Sequence, residues 1–211
     1  MTEPENTNFE HEGGSDSALE RLKLFSDAVI AIALTLLVIE IRLPEAHHLS
    51  EAQLWSTLIS LWPRYLAFFV SFLVIGTLWM AHWRKFQLIG NTSPRLLWLN
   101  LLFLFSICCI PFATGVLGEH GNLKTAVIVY AVAIIFAALT SSGLSLYASK
   151  VGLMKDGVTP EQVKRSVLNP LYTAAVFSVS IGIALFDADL AKYFWLALIG
   201  SVFFGNRTAG R

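Results

Sequence analysis

The sequence predicts an all-α integral membrane protein with six transmembrane helices per chain. Three observations carry this expectation. Of the 211 residues, 55% are hydrophobic and only 14% are charged, where a soluble domain carries about a quarter charged residues. Six apolar segments approach the ~20 residues that cross a ~30 Å hydrocarbon core. The connections between them are too short to hold a separate soluble domain.

The expected organisation is an acidic, disordered cytoplasmic tail over 1–20, a six-helix domain over 21–205 and a short cytoplasmic C-terminus over 206–211. The tail, MTEPENTNFEHEGGSDSALE, holds six acids and no Lys or Arg. That is the reverse of a signal peptide, which needs a basic start and then an apolar core, and its Gly, Ser, Asn and Pro disfavour order. The first membrane segment covers roughly 24–43 and the second about 62–83, with Pro63 where a helix start tolerates it. The third, about 96–117, contains Pro111, which predicts a kink. The fourth covers about 124–148, the fifth about 167–186 and the sixth about 190–205.

Basic residues set the orientation. With the N-terminus inside, eleven Lys and Arg, including Arg84, Lys85 and Arg95, fall in cytoplasmic loops and ends. Four (Arg42, Arg64, Lys124 and Lys192) fall on the other side. The positive-inside rule then puts both termini in the cytoplasm. Trp62, Tyr65, Trp79, Trp83, Tyr193 and Trp195 suit interfacial belts. A formal net charge of zero argues against a nucleic-acid partner. Cys108 and Cys109 are adjacent in an apolar run and read as small packing residues rather than a disulfide or zinc site.

The stretch RLKLFSDAVIAIALTLLVIEIRLP, from Arg21 to Pro44, is the most informative. A polar cluster precedes an aliphatic run broken only by Thr35 and Glu40. At about 100° per residue, Arg21, Phe25, Thr35, Leu36 and Ile39 fall within about 60° of Ile32. Asp27, Ala31 and Leu34 point the other way, with Ser26 between. A carboxylate at membrane level normally finds a partner inside the bundle, so Asp27 is expected to face its own subunit and the Ile32 stripe something else. Simpler readings stand beside this one. Ser26 and Asp27 suit a helix N-terminus, Thr35 can bond a preceding carbonyl, and Glu40 can reach Arg42 or water.

A second cluster closes the second helix. Trp79, His82, Trp83 and Phe86 share a face at i, i+3, i+4 and i+7, which brings His82 to the level of Asp27. Such a His is either hydrogen-bonded structure or, paired with a carboxylate, a group that titrates near neutral pH. His11, His47, His48 and His120 show no ligand-like spacing. Walker, GxSxG and HExxH motifs are missing, so no enzyme is expected. TVGYG is missing too, so no carbonyl-lined filter is expected. The opening motif does not recur, and a symmetric pore therefore needs several copies.

At Arg21, Phe25, Ser26 and Asp27 the sequence resembles the RxxxFSD signature of the transmembrane protein 175 family, the endosomal and lysosomal potassium channels and their bacterial relatives. The likeness continues through AIALTLLVIEI, and the Trp79/His82 segment resembles the family's second-helix motif, with Trp83 where a second His is common. The resemblance implies a potassium-selective channel of the bacterial plasma membrane. It implies a single-repeat chain assembled as a homotetramer, with the first helix lining the central pore. It places the hydrophobic constriction at Ile32 and further layers at Thr35, Leu36 and Ile39. It also implies a structural polar network of Arg21, Ser26, Asp27, Trp79 and His82, with Phe25 in the same motif. No cofactor is implied beyond the permeant K+; the partners are further copies, the lipid bilayer and K+ ions. Two rival readings are a cation/proton-coupled transporter using Asp27 and His82, and a non-conducting structural membrane protein.

Overall fold

The computed structural model describes residues 8–43 and 50–195. Its helices are α1 (Asn8–Leu36), α2 (Glu51–Ser60), α3 (Trp62–Leu88), α4 (Pro94–His120), α5 (Lys124–Lys150) and α6 (Pro160–Ala184), with a 3-10 turn, Leu37–Glu40, closing α1. Among the described residues, five stretches are long and apolar enough to cross a membrane: Ser17–Glu40, Trp62–Leu88, Pro94–His120, Lys124–Lys150 and Pro160–Ala184. Residues 188–195 are helical; the rest of the predicted sixth segment and the 206–211 C-terminus lie outside the described residues.

Local chemistry explains most boundaries. Ser93 caps α4 by accepting from the Leu96 amide at 3.2 Å, and Pro94 occupies the first turn, where its missing N–H costs nothing. Thr159 and Gln162 form a reciprocal capping box ahead of Pro160, so α6 starts seven residues before the predicted 167. Ser50 and Gln53 do the same for α2, an amphipathic helix that hydropathy alone does not separate from its loop. Helix α4 continues unbroken through Pro111.

The N-terminal tail departs from expectation. Helix α1 begins at Asn8, so residues 8–20 are helical where the composition predicts disorder; residues 1–7 lie outside the described residues. The physical reason is visible at Leu19 and Leu22. They share a face at i and i+3 and bury against Phe86, Ile89, Leu96, Leu144, Ala148 and Leu153, which anchors the helix below the membrane run.

The core runs along the middle of the bundle. Ile30 and Leu37 of the first helix meet Ile75, Phe103, Ile107, Ile110, Tyr130 and Ile134. Lipid tails are as apolar as these side chains, so burial here does not remove them from water; close packing and interhelical hydrogen bonds supply the cohesion. Ser71 provides one such link, with its hydroxyl 3.1 Å from Tyr130 and 2.8 Å from Thr114, joining α3, α4 and α5.

The loops at one end of the bundle are also tied together. The Gly90 amide donates to the Leu153 carbonyl at 2.9 Å and the Lys155 amide to the Leu88 carbonyl at 2.9 Å. The α5–α6 connection turns at Gly152 and Gly157, whose φ values of 73° and 81° are left-handed and strained for residues with a Cβ. This clasp holds the ends of α3 and α5 beside the polar residues described next.

Candidate functional site

The first helix is two-faced. Leu22, Ser26, Ile30, Ala33 and Leu37 recur at intervals of four, four, three and four, and all are buried against the subunit. On the other side Arg21, Phe25, Ile32, Thr35, Leu36 and Ile39 are exposed, Ile32 at 58%. Leu34 is half-buried and packs on the core, whereas Ala31, grouped with it on the helical wheel, is exposed. The Thr35 hydroxyl donates to the Ile32 carbonyl at 2.8 Å, the back-bonding expected of a membrane threonine. That bond uses its proton and leaves its oxygen lone pairs on the exposed side.

Two hydrogen-bonded links hold the buried face. Trp79 Nε1 of α3 donates to Asp27 Oδ1 at 2.8 Å, a bond strengthened by the carboxylate charge. The second link is a chain. His82 Nε2 lies 2.9 Å from Asn100 Oδ1, Asn100 Nδ2 donates to Ser26 Oγ at 2.8 Å, and Ser26 Oγ donates to the Leu22 carbonyl at 2.8 Å. With Nε2 of His82 as donor, every bond runs the same way and ends on an α1 carbonyl. The His82 ring stacks on Phe103 at 5.1 Å and 7° and meets Phe86 at 4.5 Å.

The structure thus divides the network implied by the resemblance. It joins Asp27 to Trp79, and Ser26 to His82 only through Asn100. Asp27 and His82 are not hydrogen-bonded to each other; each bonds a different partner. Arg21 is exposed and enters none of the ion pairs among the described residues. Phe25 and Trp83 are both exposed. Trp195, expected in an interfacial belt, is buried against Tyr130 and Phe177.

Sequence reasoning missed Asn100 and misplaced Lys85. Asn100 is fully buried, and its polar amide inside an otherwise apolar span is the signal that could have found it. Lys85, counted with the loop cations, is only 2% exposed. Its ammonium donates to the carbonyl and to the hydroxyl of Ser141, pinning α3 to α5. At the far end of the first helix the Glu40 carboxylate lies against Gly115 of α4, where any Cβ would overlap it. Among the described residues no group of three or more His, Cys, Asp or Glu is placed to hold a metal ion.

These features define a helical membrane protein whose first membrane helix is pinned on one face by polar bonds and left bare on the other. Comparisons with known proteins carry the assignment further. The family profile "Endosomal/lysosomal potassium channel TMEM175" matches residues 21–111, the stretch that holds both anchoring links. A Streptomyces collinus protein named as a potassium channel is 31% identical over 175 residues, covering 81% of this chain and 84% of its own. A Chamaesiphon minutus protein, also named as a potassium channel, is 40% identical over 136 residues, covering 61% of this chain and 67% of its own. The crystal structure of a lysosomal potassium-selective channel TMEM175 homologue from Chamaesiphon minutus superposes with a TM-score of 0.77 at 30% identity, over 90% of this chain and 98% of that one. The chain belongs to the TMEM175 family.

Proposed function

We propose that this chain is one subunit of a homotetrameric potassium channel in a bacterial plasma membrane. It is a transport protein and not an enzyme, and it needs no cofactor beyond the permeant ion. Each subunit has six membrane helices and both termini in the cytoplasm. The observation that carries this reading is the two-faced first helix. Ile32, Thr35, Leu36 and Ile39 are exposed, while the opposite face is held by Asp27–Trp79 and Ser26–Asn100–His82. An isolated chain has no axis for this stripe to face. Closed rotational symmetry is the default for homo-oligomers, and four copies supply an axis lined by four identical stripes.

In this arrangement Ile32 is the constriction. A ring of branched aliphatic side chains closes by dewetting, and opening must widen and hydrate it. The Thr35 oxygens, one turn beyond, replace part of the ion's hydration shell. Such a lining offers fewer ligands than stacked carbonyl rings, so discrimination between K+ and Na+ is moderate. Purified protein in liposomes with separate K+, Na+ and H+ gradients tests the reading. Potassium flux above sodium flux, from particles of tetrameric mass, is the expected result. Coupled counter-movement of protons, or no flux from a folded tetramer, would replace the channel by one of its rivals.

A further inference from the structure

Helix α2 carries a second apolar face, separate from the pore stripe. At about 100° per residue, Ala52, Leu54, Trp55, Leu58 and Ile59 share one arc with Trp62, the first residue of α3. Gln53, Ser56, Thr57 and Ser60 occupy the other. No α2 residue is buried; Trp55 and Trp62 are each about two-thirds exposed. Trp55, Leu58, Ile59, Trp62 and Tyr65 line an open groove of about 440 Å³. Glu51, the helix's single charge, falls on the apolar arc about 40° from Trp55, but it stands in the first turn, where a carboxylate complements the helix dipole.

What covers this face follows from where the chain holds it. Only Leu61 separates α2 from α3, and α3 is a membrane span beginning at Trp62. The ten residues of α2 extend about 15 Å, half of a bilayer core, so α2 stays at the boundary where the span starts. Three of the five groove residues are Trp or Tyr, side chains with an apolar body and one polar tip that concentrate at this water–hydrocarbon boundary. The polar arc is uncharged, so attraction to anionic headgroups contributes little and apolar insertion dominates. We propose that α2 is an interfacial helix that seats its Trp55–Ile59 face in the lipid bilayer surface, at the end of α3 opposite His82, with a phospholipid acyl chain in the groove.

Spin labels test this on the full chain with Cys108 and Cys109 replaced by Ser, reconstituted in phosphatidylcholine liposomes. Labels at Ala52→Cys, Trp55→Cys and Ile59→Cys should show an oxygen-to-nickel accessibility ratio severalfold above labels at Ser56→Cys and Ser60→Cys. Ala52 and Ile59 keep the test valid if Trp55→Cys fails to fold. In the unlabelled protein, brominated phosphatidylcholine should quench tryptophan emission less after Trp55→Phe than before it. Labels at 52, 55 and 59 closed to both reagents would mean that a second copy of the chain covers the face. Labels there open to nickel would mean water covers it. Either result overturns the proposal.

Discussion

Trp79 Nε1 donates to Asp27 Oδ1 at 2.8 Å across 52 residues of sequence, tying the third helix to the start of the first membrane run. Both side chains are partly open, so the bond stabilises less than a fully buried ion pair. A hydrogen bond to a charged group is worth about 1.5–3 kcal/mol. Asp27→Ala and Trp79→Phe should each lower the thermal midpoint, and the double variant should be little worse than the more severe single one. Additive losses in that double-mutant cycle would show that the two residues act separately.

Asn100 is the joint of the other link. Its removal strands the buried His82, at about 1–3 kcal/mol for an unsatisfied group, and takes from Ser26 the bond it accepts, leaving the one it donates to the Leu22 carbonyl. Asn100→Leu breaks both bonds of the chain that cross between helices and should therefore destabilise the folded protein more than Ser26→Ala, which breaks one of them. Chemical denaturation in detergent micelles compares the two. A ranking with Ser26→Ala the more damaging would remove Asn100 from its central place.

The proposed constriction predicts a contrast between neighbouring positions. Ile32 is exposed on the bare stripe, and Leu34 packs on the core. Ile32→Asn adds hydrogen-bonding groups where the pore must be wetted, so it should raise potassium flux and lower discrimination against sodium. Leu34→Asn should reduce stability without that signature. Flux from both variants in liposomes decides the matter; the conduction change appearing at Leu34 instead would assign the pore to the wrong face.

Lys85 gives a prediction of opposite sense. Its ammonium bonds Ser141 and belongs to none of the ion pairs among the described residues. Exchanging a buried charge for an apolar side chain of similar length is often neutral or stabilising, whereas truncation leaves a cavity. Lys85→Met should hold or raise the thermal midpoint, and Lys85→Ala should lower it. Equal damage from both would mean that the amine's bonds to Ser141 dominate.

Much of the site was legible before the fold. The spacing of Phe25, Ile32, Thr35, Leu36 and Ile39 placed them on one stripe because a helix repeats every 3.6 residues whatever surrounds it. That stripe is exposed along its length. The type of Asp27 required a partner at membrane depth, and Trp79 is that partner. Periodicity reads angle around an axis and carries no information on distance between axes. Asn100 therefore escaped notice: an amide in an apolar run has no periodic signature, and only the approach of α4 to α1 and α3 puts it between Ser26 and His82.

Hydropathy and helical period, both properties of the chain alone, determined the membrane class, three spans near their observed limits and the two faces of the first helix. Tertiary packing decided the rest. It turned residues 8–20 into helix, because Leu19 and Leu22 find a cluster made by three other helices and two loops. It buried Lys85, a residue that charge counting assigns to a loop, because the Ser141 carbonyl and hydroxyl lie within its reach. It also gave Asp27 and His82 different partners. A hydrogen bond forms only at about 3 Å, and which groups come that close is settled by how the helices cross.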